Sequence, residues 1–241
     1  MLGLSGPPSP TYRAPFRPIR TRSFLAILAL AVHGFLSLVM IGACSIRIGL
    51  LHRIQAHMQV QKTDLLASNA FMLVGSRIQL GVAILAAVAF LFWFYRAQQN
   101  LLAFRPEPLE FSPGQAAGSF FIPFVNLVRP FSVMREIWQA SDPALPPFGS
   151  SLHDTAPVSL LVPAWWSLFL ARGVIAWLAL LPNLGTQHTV DTLLTSSQIL
   201  RVDFAVSSIA AGLACTLIFL VKRRQENLAE QLTVFEQAGV F

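Results

Sequence analysis

The sequence predicts an all-α, polytopic membrane helix bundle, in which four transmembrane helices are accompanied by a proline-broken, interfacial amphipathic segment. Three observations lead to this fold class. Hydrophobic residues make up 54% of the 241 residues and charged residues only 12%, whereas about a quarter of a soluble domain is charged. The mean hydropathy is +0.60. The apolar residues also lie in long blocks, and about 20 consecutive apolar residues span the hydrocarbon core as a helix.

The N-terminal part of the chain divides into a tail and a first crossing. Residues 1–22 are basic and rich in proline, which predicts a disordered cytoplasmic tail. Residues 23–46 contain no acid or base except His33, and this block predicts the first crossing. Within it, residues 41–44 (IGAC) resemble the cleavage box of bacterial lipoproteins, so lipidation of Cys44 is an alternative. A signal segment has an apolar run of only about 7 to 15 residues, which favours the crossing.

The second crossing is predicted over residues 77–95. It ends in a cluster of aromatic side chains that is typical of the headgroup boundary, and Arg96 follows at once. Residues 47–76 mix charges with leucines at irregular helical spacing. We interpret them as an external amphipathic helix and loop, into which the first helix continues.

The central segment, residues 111–140, is too apolar for an ordinary loop and too broken for a span. After its last proline, large apolar side chains fall on one helical face, which is the pattern of a helix parallel to the interface. Whether residues 111–128 re-enter the membrane is left open by the sequence. The prolines are Pro113, Pro123 and Pro130, and the apolar face consists of Phe131, Met134 and Trp138.

Two further crossings complete the membrane domain, which is predicted over residues 23–221. They are expected at residues 158–181 and 199–221, and residues 222–241 form a C-terminal tail that begins with three basic side chains. With this layout, eleven Lys and Arg residues lie on one side and five on the other. The excess predicts that both termini and the central loop are cytoplasmic.

An intramembrane ion pair is predicted between Arg172 and Asp203. Arg172 lies near the middle of the third crossing, where a charge costs about 2.5–3.5 kcal/mol on insertion scales, so it needs a partner. Asp203, in the outer part of the fourth crossing, is the natural candidate because the two helices run in opposite directions. The pair could lock the two helices together, or it could serve transport or proton relay with His33 as a third member.

A second group of polar residues is expected at the inner boundary of the membrane. Arginine offers a planar fork to phosphate, so this group could bind an anionic headgroup or a phosphorylated ligand. Alternatively, the asparagines satisfy backbone groups freed by the prolines while the glutamate pairs with an arginine. The group comprises Arg96, Asn100, Asn126, Arg129, Arg135 and Glu136.

Three sequence boxes resemble those of the bacterial membrane-protein family known as domain of unknown function 4328. They are an R-A-x-x-N-L box at residues 96–101, a P-x-x-N-L-x-R-P box at 123–130 and an M-R-E-I-W helix at 134–138. The resemblance implies about four helices and a multi-pass protein of a bacterial plasma membrane. Membership of this family would not indicate any particular activity.

We expect a non-enzymatic membrane scaffold, accessory subunit or lipid-contacting component. The alternatives are a small oligomeric transporter or channel and a membrane-embedded, lipid-modifying enzyme. No nucleophile elbow, phosphate loop or paired carboxylates support catalysis. We expect no cofactor and no metal site. The expected partners are membrane lipids and either a second copy or another membrane protein, without nucleic acid, because the basic residues form no aromatic-interleaved face.

Overall fold

The computed structural model of the chain describes residues 15–104, 109–144, 157–179, 181 and 189–237. Six α-helices form in this part of the chain, with no strand among them, and four are long and apolar enough to cross a membrane. These observations confirm the predicted fold class. The helices are α1 (Arg20–Gln55), α2 (Lys62–Phe104), α3 (Pro113–Gly118), α4 (Arg129–Ala140), α5 (Leu161–Leu178) and α6 (Val190–Gln237), with 3₁₀ turns at Ser119–Phe121 and Val125–Leu127.

Two of the apolar helices are much longer than a bilayer is thick. α2 has 43 residues and α6 has 48, or about 64 and 72 Å at a rise of 1.5 Å per residue. A hydrocarbon core of about 30 Å uses less than half of either length. The fourth predicted crossing and the C-terminal tail up to residue 237 are therefore one unbroken helix. Residues 238–241 of that tail lie outside the described residues.

The turn between α1 and α2 is shorter than the external loop expected at residues 47–76. The backbone N–H of His57 donates to the carbonyl of Ile54 at 3.0 Å, and that of Met58 donates to Arg53 at 2.9 Å. His57 has a φ of 57°. This pattern is a Schellman motif, in which the residue after the helix takes the left-handed conformation and the last carbonyls are satisfied.

The predicted disordered tail, residues 1–22, is ordered at its C-terminal end. Residues 15–19 have no regular secondary structure, and α1 begins at residue 20. The Phe16 ring lies 5.5 Å from that of Phe104, and Ile19 is fully buried. Packing against α2 thus places the last third of the segment. Residues 1–14 lie outside the described residues.

The chain divides into two compact units. Unit 1 comprises Met1–Arg20, Trp93–Val158 and Leu220–Phe241, and unit 2 comprises Thr21–Phe92 and Ser159–Phe219. Unit 1 therefore contains α3, α4 and the C-terminal ends of α2 and α6. Unit 2 contains α5 and most of α1, together with the remaining parts of α2 and α6.

Unit 2 is held together by small and apolar side chains between its helices. Met40 and Cys44 of α1 pack with Met72 of α2 and Phe204 of α6. A Cβ atom added at Gly34 would lie 3.3 Å from the Cβ of Ala211, so α1 and α6 approach closely there. Small residues allow this close approach of helices in membranes.

Unit 1 places the apolar face of α4 inside the protein. Met134 is fully buried and Trp138 is almost so, while Phe131 is half-buried. Pro130 stands in the first turn of α4, where its missing N–H costs no hydrogen bond. The face that the sequence assigned to an interfacial helix is thus largely covered by other parts of the chain.

Candidate functional site

Asn100 on α2 ties two distant parts of the chain together. Its side-chain Oδ1 accepts the backbone N–H of Arg17 at 3.3 Å, and its Nδ2 donates to the Arg17 carbonyl at 3.0 Å. Nδ2 also donates to Oε1 of Gln225 on α6 at 3.1 Å. The amide of Asn100 therefore uses both its oxygen and its nitrogen on protein partners.

Gln225 extends this connection, although the sequence analysis did not single it out. The residue is fully buried, and its Nε2 donates to the carbonyl of Ala97 at 3.0 Å and to Oγ of Ser141 at 3.2 Å. We call the side chains of Asn100, Gln225 and Ser141, with the backbone of Arg17 and Ala97, the polar clasp. A glutamine inside a charged stretch of helix gives no local signal that it will be buried.

Glu136 of α4 is also held by protein groups. Its Oε2 accepts from Nε2 of Gln98 at 2.7 Å, and its Oε1 accepts from the backbone N–H of Glu110 at 2.6 Å. Burial raises the pKa of the Glu136 carboxyl above its ordinary value, although the two hydrogen bonds oppose the shift. Gln98, which also donates to the carbonyl of Phe111 at 2.9 Å, is a second buried residue that the sequence analysis missed.

Arg129 and Arg224, both in unit 1, lie beside aromatic rings. The guanidinium of Arg129 is 5.8 Å from the ring centroid of Phe111. The guanidinium of Arg224 is 3.9 Å from the ring centroid of Trp138, and its Nη1 donates to the Trp138 carbonyl at 3.0 Å. The same nitrogen lies 3.7 Å from Oδ2 of Asp142. Both positions allow cation–π attraction. The other residues of the predicted group, Arg96, Asn126 and Arg135, are half-buried on α2, on the second 3₁₀ turn and on α4.

An exposed apolar loop lies between α3 and α4. We call residues 121–128 the apolar tip. Phe124 is 84% exposed, Phe121 74% and Val128 64%. Phe124 has a φ of 63°, a conformation that costs a non-glycine residue about 1–3 kcal/mol. The other large apolar side chains of the tip are Ile122 and Leu127, each about half exposed.

An ion pair and an amide cluster are among the polar contacts that join the apolar helices of unit 2. Nε of Arg172 on α5 lies 3.6 Å from Oδ1 of Asp203 on α6. Nε2 of Gln79 on α2 lies 2.7 Å from Oγ of Ser37 and 3.1 Å from Nδ1 of His33, both on α1. The sequence did not pair Gln79 with His33, because Gln79 stands at the edge of its predicted crossing.

A sequence model described as domain of unknown function (DUF4328) matches residues 56–226, which is more than half of the chain. The chain belongs to this family. The DUF4328 match begins in the turn before α2 and ends in α6, one residue after Gln225, so it includes most of the polar clasp and the whole apolar tip. Nothing among the curated proteins matches the chain, and no solved structure does.

The lipoprotein alternative concerns α1, which precedes the DUF4328 match. Residues 41–44 lie inside this continuous helix, and Cys44 is fully buried. Cys44 and Cys215 are both free cysteines. Cleavage before Cys44 would remove His33 and Ser37, and with them the hydrogen bonds of the Gln79 amide. The contacts of α1 therefore favour an intact first helix.

Proposed function

We propose that this DUF4328 protein is a non-enzymatic, lipid-contacting membrane component that places its apolar tip in the interfacial layer of the bilayer. The exposure of the five large apolar side chains of the tip carries the proposal. Fully burying one such side chain contributes about 1.5–3 kcal/mol, so the tip has several kcal/mol to gain from leaving water. Soluble proteins rarely expose contiguous apolar patches of this kind unless something binds there.

A contact within unit 1 supports the depth that we propose for the tip. The ring of Phe120, directly before the tip, lies 5.5 Å from the ring of Phe94 at an angle of 81°. Phe94 belongs to the aromatic cluster that ends the apolar run of α2, and Arg96 comes two residues later. Aromatic side chains collect at the headgroup level of membranes. The contact therefore supports a tip at the headgroup boundary.

The charges around the tip favour a phosphate-rich surface. Arg129 directly follows the tip, and Arg135 lies on α4. The sequence has no acidic residue from 111 to 135. Basic residues next to an apolar insertion strengthen binding to anionic lipids. Because Lys and Arg are concentrated in both tails and the central loop, we place this surface and both termini in the cytoplasm.

A fluorophore at Phe124 tests the proposal. With Cys44 and Cys215 replaced by alanine, Phe124→Cys is labelled with an environment-sensitive dye and reconstituted into vesicles of phosphatidylethanolamine and phosphatidylglycerol. Ala144→Cys, at an exposed position outside the tip, is the matched control. We expect nitroxide-bearing lipids to quench the dye at 124 and water-soluble iodide to quench the dye at 144. Equal quenching of both positions by iodide would rule the proposal out.

We assign a structural role to the polar groups of unit 2. Arg172 and Asp203 neutralise each other, and Gln79 binds His33 and Ser37 of a neighbouring helix. Hydrogen bonds and ion pairs of this kind hold helices together in lipid. The transport alternative requires ion or proton flux into vesicles that depends on Asp203. Flux through the wild type that Asp203→Asn abolishes, with folding intact, would favour transport instead.

A further inference from the structure

A groove on unit 2 runs between α1 and α2. Its outer part has a volume of about 620 Å³, and an adjoining inner part has about 160 Å³. Val39 and Phe71 line both parts, so the two adjoin each other along the same pair of helices. Small residues on both walls leave the space open, among them Gly42 and Ala67.

The groove has the length of one membrane leaflet. On α2 it extends from Asp64 at the outer end to Gln79 at the inner end, which is about 22 Å at the helical rise. Gln79 stands near the start of the second crossing predicted from the sequence, but it contacts His33, near the middle of the first predicted crossing. This pairing places Gln79 near the bilayer centre and extends the hydrocarbon-facing part of α2 back into the segment that the sequence predicted to be external. Half of a hydrocarbon core of about 30 Å is about 15 Å. Because the groove is longer than half of the hydrocarbon core, Asp64 lies beyond the hydrocarbon, at the level of the headgroups.

The two ends of the groove differ in polarity. The lining is almost wholly apolar along its length, as an acyl chain requires. At the outer end stands the exposed carboxylate of Asp64, and Arg47, next to the lining residue Ile46, contacts the side chain of Asn69. A carboxylate and a guanidinium at one end complement the ammonium and phosphate of a zwitterionic headgroup.

We propose that this groove is a binding site for one phospholipid of the outer leaflet, with an acyl chain between α1 and α2 and an amine-bearing headgroup at Asp64. The occupant is a lipid because the groove opens along the apolar part of two spanning helices, where the surroundings are hydrocarbon. The site is independent of the proposed role of the apolar tip. Either proposal can fail without the other.

Filling the groove tests the site. A Cβ atom at Gly42 would meet nothing within 4 Å, so the backbone tolerates a side chain there, and Gly42→Leu directs that side chain into the groove that Gly42 lines. Gly81→Leu is the matched control, because Gly81 is equally open but does not line the groove. The proteins are extracted in mild detergent from vesicles with equal amounts of phosphatidylethanolamine and phosphatidylglycerol. Native mass spectrometry then counts the retained lipids.

We expect the wild type and Gly81→Leu to retain one phosphatidylethanolamine, and Gly42→Leu to retain at least fivefold less. Ala67→Leu, on the opposite wall, should show the same loss, which guards against a folding defect peculiar to one variant. The variant Asp64→Asn should retain phosphatidylethanolamine and phosphatidylglycerol in equal amounts. Equal retention by Gly42→Leu and Gly81→Leu would overturn the site, as would a homodimer that only Gly42→Leu dissociates. Equal retention of both lipids by the wild type would overturn the headgroup assignment.

Discussion

Nε of Arg172 lies 3.6 Å from Oδ1 of Asp203, so a cation of α5 and a carboxylate of α6 meet within unit 2. The Arg172 side chain is 36% exposed and that of Asp203 11%. In a membrane, the exposed part of Arg172 faces hydrocarbon or neighbouring headgroups rather than bulk water. The positive charge of Arg172 on α5 is therefore accompanied by the negative charge of Asp203 on α6.

Removing the carboxylate should destabilise the protein. Asp203→Asn leaves Arg172 without its counter-charge, at a cost of up to about 2.5–3.5 kcal/mol, and we expect a lower melting temperature in detergent. The double variant Arg172→Gln/Asp203→Asn should recover part of the loss, because no charge is then unpaired. Asp191→Asn, at the start of α6, is the control and should change little. An unchanged melting temperature for Asp203→Asn would contradict a locking role.

Glu136 should make stability depend on pH. Burial raises the pKa of its carboxyl in the folded state, so the folded protein binds more protons than the unfolded chain between the two pKa values. Stability from this group is therefore greatest below the unfolded pKa and is lost as pH rises through the folded pKa. Thermal unfolding from pH 4 to pH 8 measures the effect. The free energy of unfolding of the wild type minus that of Glu136→Gln should fall as pH rises, and a value that rises with pH would contradict the raised pKa.

The polar clasp should protect the N-terminal segment from protease. Asn100→Ala removes three hydrogen bonds, and it leaves the backbone groups of Arg17 and the amide oxygen of Gln225 without their Asn100 partner. An unsatisfied buried polar group costs about 1–3 kcal/mol, so opening of residues 15–19 should become roughly 5- to 150-fold more frequent. Limited chymotrypsin digestion should then cleave after Phe16 faster by that factor. Leu102→Ala, at an exposed position on the same helix, should be cleaved there at the wild-type rate.

The turn after α1 offers a stabilising substitution. His57 has a positive φ in the Schellman motif, where glycine carries no Cβ penalty. His57→Gly should raise stability by about 0.5–1 kcal/mol, or a few degrees in melting temperature. The same change at His52, inside the last turn of α1, should lower stability by about 1 kcal/mol because glycine is a poor helix former. Opposite signs at the two positions would support the motif, and two losses would contradict it.

The sequence predicted the four long helices because burying backbone and charge in lipid is costly. A crossing helix therefore needs about 20 consecutive residues that are apolar and nearly free of charge, and such blocks are visible in the composition. It did not predict that α2 and α6 continue far beyond their apolar blocks. The outer turns consist of ordinary polar residues with good helix propensity, and such residues do not show where a helix ends. Packing within the protein, such as that of Phe16 on Phe104, keeps these outer parts in place.

The polar contacts were harder to foresee than the helices. Asn100 and Glu136 stood out because they lie beside aromatic and proline residues, but their partners Gln225 and Gln98 are 125 and 38 residues away from them. No periodicity relates such positions. Gln79 offered a weak signal, since it is an amide at the edge of an apolar block, where an uncompensated polar group is costly.

The contact of Gly34 with Ala211 restricts how far α1 can slide along its neighbour. A displacement by one helical turn would bring either Leu30 or Leu38 to the position of Gly34. The first atom of either side chain would already lie 3.3 Å from the Cβ of Ala211, which leaves no room for the rest of a leucine. The vertical offset of the two helices therefore has one preferred value. Bilayers of different thickness must be accommodated by tilting the pair as a whole, and not by shearing one helix past the other.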